Sequence, residues 1–374
     1  MPTTTTTQQH MYCTMTSHSP HNPNESDLAT AFHTDGYLLL PNQFSPTFTS
    51  SLLKECSSIF AGVLSHLFEC GEIEFAQGRR LVAQQSGDET DDPQNDTDEK
   101  CAEKRGAVFE YPLKQGIKHG YREIVMRSPG RYEVALLVDA DGRQRVLSDM
   151  FNNTAMGSAA GDGVLDQLVH WIHDIINQQH DNLHQHSHRC KDYQQLHSLL
   201  HTVQSIFHTE YTLTNLSLVL STPGSPSQPW HSDGPHASLT AHLPAHVLNI
   251  FVPLVDVPLS MGPTEIRPGS QYYTRDLTKM MLGAMARKEL RPSITPELKR
   301  GDCLLFDWRV LHRGRANTSH LDNANDADCT FANGTSVNCN RGRDRPILVM
   351  SFAKSWFVDV CNFPKRSIFD LHKS

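Results

Sequence analysis

The residues of this chain best suited to chemistry lie in QPWHSDGPH, where only Ser232 separates His231 from Asp233. On an extended backbone alternate side chains share a face, so this imidazole and this carboxylate can converge while Ser232 points away. One nitrogen and one oxygen of that kind fill two adjacent positions on a divalent metal. A third ligand must come from elsewhere, and GDCLLFDWRVLHRG offers His312 just beyond an apolar run. Two histidines and a carboxylate on one face leave three positions open. Non-haem iron(II) oxygenases need that arrangement to admit a cosubstrate and dioxygen together.

The HxD motif alone is weak evidence. With 22 histidines in the chain, roughly one such motif is expected by chance, and a second is present at His33-Thr34-Asp35. That one reads as turn chemistry, because Asp35-Gly36 stands between a helical and an extended segment. Near the stronger pair, Gln228 and Asn249 could hydrogen-bond a cosubstrate or the ligands themselves. Asn249 lies inside the apolar run VLNIFVPLV, where an unpaired amide is costly, so it needs a partner. A purely structural partner satisfies that need equally well. Trp230 and Trp308 flank the ligands and read as core packing.

These residues must be positioned by elements the sequence also marks. DLATAFHTDGYLLLP reads as a short helix, a turn at Asp35-Gly36 and a strand ended by Pro41. Residues 48–68 carry apolar positions at helical spacing. Strand-like runs follow at 213–220, 247–255, 303–308 and 347–352, with one helix at about 274–290 between them. Helices followed by separated strands predict an α+β, mainly β fold, a double-sheet jelly roll buttressed by helices. Residues 1–26 read as a disordered tail, and 27–374 as one domain with polar inserts at 87–104 and 319–344. The His- and Gln-rich stretch 177–201 reads as an exposed extension of the preceding helix. Residues 104–131 are locally basic, with Lys114, Lys118, Arg122, Arg127 and Arg131 among aromatics. They could meet an anionic substrate, although a charged surface or lid is the plainer reading.

A net charge of -8 disfavours a nucleic-acid partner. The 9 scattered cysteines form no CxxC pair, as expected of reduced thiols in a cytoplasmic or other intracellular compartment. No signal peptide and no membrane span is expected. Composition sets no oligomeric state.

Joined to QPWHSD, the segments LNIFVPLVDVPLSMGPTEIRPGS, GDCLLFDWRVLHRGRANTS and RPILVMSFAKSWF, with FHTDGYLLLP before them, carry a family resemblance. The chain resembles the phytanoyl-CoA dioxygenase family of iron(II)- and 2-oxoglutarate-dependent oxygenases over about two-thirds of its length. The resemblance implies a double-stranded β-helix, cupin-like, with Fe(II) held by His231, Asp233 and His312 at its open end. It implies 2-oxoglutarate and dioxygen as cosubstrates and ascorbate as an accessory reductant. It also implies hydroxylation or another C–H oxidation of a small organic substrate, which could be anionic or a CoA thioester. The distal carboxylate of 2-oxoglutarate, deep in an apolar barrel, needs a partner, and a guanidinium matches it with two parallel hydrogen bonds. The family places that arginine at the start of the strand after the distal histidine, here Arg345. Its separation from His312 is longer than usual, and Arg313, Arg315, Arg341 and Arg343 are rivals. Asp233 favours hydroxylation over halogenation, since related halogenases lack this carboxylate. The competing reading is a catalytically silent jelly roll that binds a ligand or a partner protein.

Overall fold

A computed structural model describes residues 25–73, 120–140, 143–147, 163–177, 190–319, 329–330, 336–337, 343–359, 362 and 364–372. Of the tail read at 1–26, residues 1–24 lie outside these residues, as does the insert at 87–104, and Glu25 and Ser26 instead open a helix.

Helix α1 (Glu25–Asp35) turns at Gly36 into strand β1 (Tyr37–Leu40), and α2 (Pro46–Glu69) follows. Gly36 has φ +78, and a Cβ there would lie 2.5 Å from both Gln271 Oε1 and Val310 Cγ2. Gly36→Ala therefore meets left-handed strain and a steric clash together. The expected loss is about 1–3 kcal/mol, read as a lowered Tm with the metal site intact. Helix α2 starts where Pro46 presets the first turn and Ser45 Oγ accepts the Phe48 amide at 3.2 Å. Its buried stripe includes Leu52, Cys56, Ile59, Val63 and Leu67.

Strands β2 (Ile124–Ser128), β3 (Arg131–Ala135), β4 (Leu137–Ala140) and β5 (Arg143–Val146) come next, then α3 (Val164–Asn177) and α4 (Lys191–Phe207). Helix α4 corrects the reading of 177–201 as an exposed extension. From Lys191 the chain forms a separate helix burying Tyr193, Leu196, Leu199, Leu200, Val203 and Ile206. Its apolar residues recur every three or four positions, and the intervening His and Gln occupy the outer face. Asp192 in its first turn accepts both the amide and the hydroxyl of Ser45 at 2.6 and 2.9 Å, tying α4 to the start of α2.

The remaining strands are β6 (Tyr211–Ser221), β7 (Val247–Pro253), β8 (Thr264–Ile266), β9 (Cys303–Asp307), β10 (His312–Gly314), β11 (Cys329–Thr330), β12 (Ser336–Val337) and β13 (Arg345–Lys354). The helix expected at 274–290 is shorter, α5 (Lys279–Ala286). It starts late because Asp276 Oδ1 takes the amides of Thr278 and Lys279, forming a turn ahead of it.

Seven strands form one antiparallel sheet in the order β1-β9-β7-β13-β6-β3-β2. Strict alternation sorts its side chains. Leu348, Met350 and Phe352 of β13, with Leu248, Ile250 and Val252 of β7, join the core shared with α2, α3 and α4. Ile347 and Val349 point to the other face, where Leu304 and Phe306 of β9 pack on Ile266 and Val310. Both faces are covered, so these strands read as near-continuous apolar runs. Each buried Leu or Ile contributes about 1.5–3 kcal/mol. The expected double-sheet core buttressed by helices is present: helices on one face, the short β8–β10 sheet on the other.

Most of the polar segment 319–344 lies outside the described residues, but its two ends meet. Arg343 N donates to Ser319 Oγ at 2.8 Å, and Asn317 Nδ2 donates to Arg343 O at 2.8 Å. Among the described residues, strands β11 and β12 within it pair only with each other. Replacing residues 321–342 by a short Gly/Ser joiner should leave the fold and metal binding intact, since closure entropy changes slowly with length. Global unfolding by circular dichroism would refute this expectation.

Candidate metal centre

His231 and Asp233 were expected on a strand, but the structure places them on a single antiparallel bridge followed by a bend. His231 N donates to His312 O at 3.1 Å and His312 N to His231 O at 2.9 Å. Asp233 N then donates to Trp308 O at 2.8 Å. On its other side β10 pairs with β8, His312 opposite Ile266. Backbone ladders therefore hold His312 from both sides and bring Asp233 in beside it.

One ligand atom from each of His231, Asp233 and His312 lies within 4.8 Å of the others, and among the described residues no other such cluster of His, Cys, Asp and Glu occurs. Asp233 Oδ1 stands 3.4 Å from His312 Nε2 and 3.8 Å from His231 Nε2. Each Nδ1 faces a main-chain carbonyl, Pro229 O at 2.9 Å for His231 and Val310 O at 3.0 Å for His312. A ring donating through Nδ1 keeps the Nε2 lone pair free for a metal. Asn249 Nδ2 donates to Asp233 Oδ2 at 2.6 Å, and Ser351 Oγ donates to Asn249 Oδ1 at 2.7 Å. Asn249 thus engages Asp233 Oδ2, while Asp233 Oδ1 faces the Nε2 atoms of His312 and His231. Burial alone would raise the Asp233 carboxyl, but the neighbouring His312 and His231 hold it below its usual value. Burial likewise opposes charge on His312, yet Asp233 raises its pKa. Burial and the nearby His312 lower that of His231. Two imidazole nitrogens and one carboxylate oxygen, each oriented by a second hydrogen bond, suit a divalent transition metal.

These three residues line a cavity of about 870 Å³, together with Gln228, Asn249, Phe251, Thr264, Trp308 and Arg345. Arg345 is 3% exposed and donates through Nη1 to Gly262 O, while its Nε has no partner. Burial, reinforced by nearby Arg131, pushes its pKa down to about 9. Gln228 Oε1 accepts the Gly314 amide at 3.0 Å. Among the rival arginines, Arg313 pairs with Glu265 at 2.7 Å and Arg343 is exposed. None of Arg313, Arg315 and Arg343 lines the cavity, and Arg341 lies outside the described residues. The second HxD is no cluster: Asp35 pairs with Arg291 at 2.9 Å. Trp308 is core, as expected. Trp230 is not, being half-buried with the guanidiniums of Arg267 and Arg313 at 5.2 and 4.7 Å from its ring centre.

Sequence reasoning undervalued Arg131, grouping it with a basic surface stretch. It is 1% exposed and lines the same cavity. The signal was available: in SPGRYEVALL, as in RDRPILVMSF, an arginine opens an apolar strand.

The chain is 26% identical over 113 residues to the dioxygenase hkm4 of Aspergillus hancockii, a stretch covering 29% of this chain and 34% of that protein. The match thus spans about a third of that relative's length. Among solved structures, AviO1 from Streptomyces viridochromogenes Tue57 is similar at 14% identity and TM-score 0.41, over 92% of this chain and 100% of that one. HygX from Streptomyces hygroscopicus, with nickel and 2-oxoglutarate bound, is similar at 12% identity and TM-score 0.40, over 93% and 96% of the two chains. The family profile of phytanoyl-CoA dioxygenase (PhyH) matches residues 32–321, most of the chain. The chain therefore belongs to the phytanoyl-CoA dioxygenase family.

Proposed function

We propose that the protein is an iron(II)- and 2-oxoglutarate-dependent dioxygenase that hydroxylates, or otherwise oxidises a C–H bond of, a small organic substrate. One observation carries this reading: a two-histidine, one-carboxylate cluster shares a cavity with a buried arginine that, among the described residues, has no carboxylate partner. The residues present suit both groups the reaction needs. His231, Asp233 and His312 would hold the metal, and Arg345 would take the distal carboxylate of 2-oxoglutarate. Bound iron would supply dioxygen activation coupled to oxidative decarboxylation of the cosubstrate.

This chain's residues supply the rest. Asn249, steadied by Ser351, fixes one oxygen of Asp233 and aims the other at the metal position. Phe251 and Trp308 wall the cavity with apolar surface that excludes water. Gln228 lines the same cavity and would contact the cosubstrate there. Around the same cavity, Arg122, Arg127 and Lys365 alternate with Glu133 and Asp359, and a polar or anionic substrate would meet that mixed lining. Asp233 fills the position a halide would need, which favours hydroxylation over halogenation. Among the described residues no helix is long and apolar enough to cross a membrane.

The test is anaerobic titration of the iron(II)-loaded protein with 2-oxoglutarate, followed by admission of oxygen. The visible charge-transfer band of a chelated keto acid, then succinate formation, is the expected result. Metal binding with no such band would overturn the reading. Binding without succinate, across a screen of candidate substrates, would favour a silent binding protein. Asn249→Ala should weaken metal affinity by about 10- to 100-fold, the usual effect of losing a contact that orients a ligand. Isothermal titration with a divalent metal measures it.

A further inference from the structure

Among the described residues three arginines are essentially buried: Arg131, Arg309 and Arg345, at 1%, 1% and 3% exposure. Arg309 is compensated, with Asp307 Oδ2 2.5 Å from its Nη2 and Oδ1 2.8 Å from its Nε. The other two have no carboxylate partner among the described residues. Arg131 donates to Ser128 Oγ, Ser221 Oγ and the Arg315 carbonyl at 3.3, 3.2 and 2.9 Å, all uncharged acceptors. Its Nε, like that of Arg345, has no partner.

Strand register brings the two together. Arg131 of β3 and Arg345 of β13 both stand opposite Ser221 of β6, one on each side of it, in a single row across the sheet. Both side chains line the cavity that holds the metal cluster. Gly314, two residues past His312, leaves the space: a Cβ there would lie 2.9 Å from Arg131 Cζ and 2.9 Å from Gln228 Oε1. Two like charges buried side by side without a counterion are costly, and an anion between them relieves both. Burial pushes the Arg131 pKa down to about 10, the direction expected of a cation lacking its counter-charge.

We propose that Arg131 and Arg345 form a two-guanidinium clamp that takes the distal carboxylate of the keto acid between them, so that Arg131 sets the selection for a dicarboxylate. This rests on reading the cavity as a 2-oxoglutarate site. Arg131 is then a ligand-binding residue supplied from outside the strand that carries Arg345, through a loop-free sheet contact.

The experiment compares full-length, metal-loaded wild type, Arg131→Met and Arg131→Lys, anaerobically. Each is titrated with 2-oxoglutarate and with 2-oxobutanoate, which keeps the chelating keto acid and lacks the distal carboxylate. In Arg131→Met the affinity for 2-oxoglutarate should fall by about thirtyfold or more, with affinity for 2-oxobutanoate and for metal unchanged. Arg131→Lys should recover part of the loss. Without ligand, Arg131→Met should melt at or above the wild-type temperature, because an uncompensated buried charge is gone. A merely structural arginine would give the opposite sign. Unchanged 2-oxoglutarate affinity in Arg131→Met, or equal losses for both acids, overturns the clamp while leaving the cosubstrate reading in place. If wild type binds metal but neither acid, the cosubstrate reading itself falls, and the clamp with it. Should Arg131→Met fail to fold, Gly314→Ala, which crowds the guanidinium, must reproduce the selective loss with metal affinity retained. Equal protection by inorganic sulfate would show a general anion site and overturn dicarboxylate selection.

Discussion

Alanine in place of His231, Asp233 or His312 is expected to abolish metal-dependent turnover while the protein stays folded. Each residue would supply one of three metal-binding atoms, so each loss should exceed the about 10- to 100-fold typical of a supporting contact. The fold should survive because the bridge between residues 231 and 312 is made by backbone groups, which alanine preserves. Asp233→Ala leaves Asn249 Nδ2 without its acceptor, so it should cost the most stability of the three. His33→Ala and Asp35→Ala are the controls. Asp35 pairs with Arg291 with its carboxylate partly exposed, so its removal should cost no more than about 1 kcal/mol. Metal titration and melting curves on the five variants read the result. Loss of metal from the His33 variant with retention by the His231 variant would reverse the assignment.

Removing Arg345 should weaken 2-oxoglutarate binding by about two to three orders of magnitude or more, since an unpaired buried carboxylate costs roughly 3–5 kcal/mol. Metal binding should be unaffected. Lysine should rescue in part, because an ammonium cannot reproduce two parallel hydrogen bonds. Arg313→Ala, Arg315→Ala and Arg343→Ala should each shift the affinity by less than about tenfold, since none of the three lines the cavity, and the same is expected of Arg341→Ala. Arg313 already has Glu265, and Arg315 meets the site through its backbone carbonyl, which every variant retains. A large loss in Arg315→Ala with none in Arg345→Ala would mean that the strand after His312 is wrongly aligned.

The long separation between His312 and Arg345 has a structural explanation. Asn317, Ser319 and Arg343 are hydrogen-bonded to one another, so the chain leaves at Ser319 and returns at Arg343 to nearly the same place. The residues between add length in sequence and little distance in space, so a count from His312 misleads where a strand pairing does not.

The sequence by itself determined which side chains could serve: two histidines and an aspartate of metal-binding type, and arginines heading apolar strands. It also marked most strands, because β7, β9 and β13 are apolar on both faces and stand out as near-continuous runs, and β6 alternates apolar with polar residues along YTLTNLSLVL. Helix α4 was missed because His and Gln are interleaved with its apolar residues, and the apolar stripe shows only once the two faces are separated. Tertiary structure decided which of these residues meet. Asn249 reaches Asp233 through a loop, and Ser351 reaches Asn249 across paired strands 102 residues apart. Arg131 joins Arg345 only because β3 and β13 both pair with β6, with Ser221 opposite each arginine. Register is set by which faces of many strands must be buried together, a property of the whole sheet that no single segment contains.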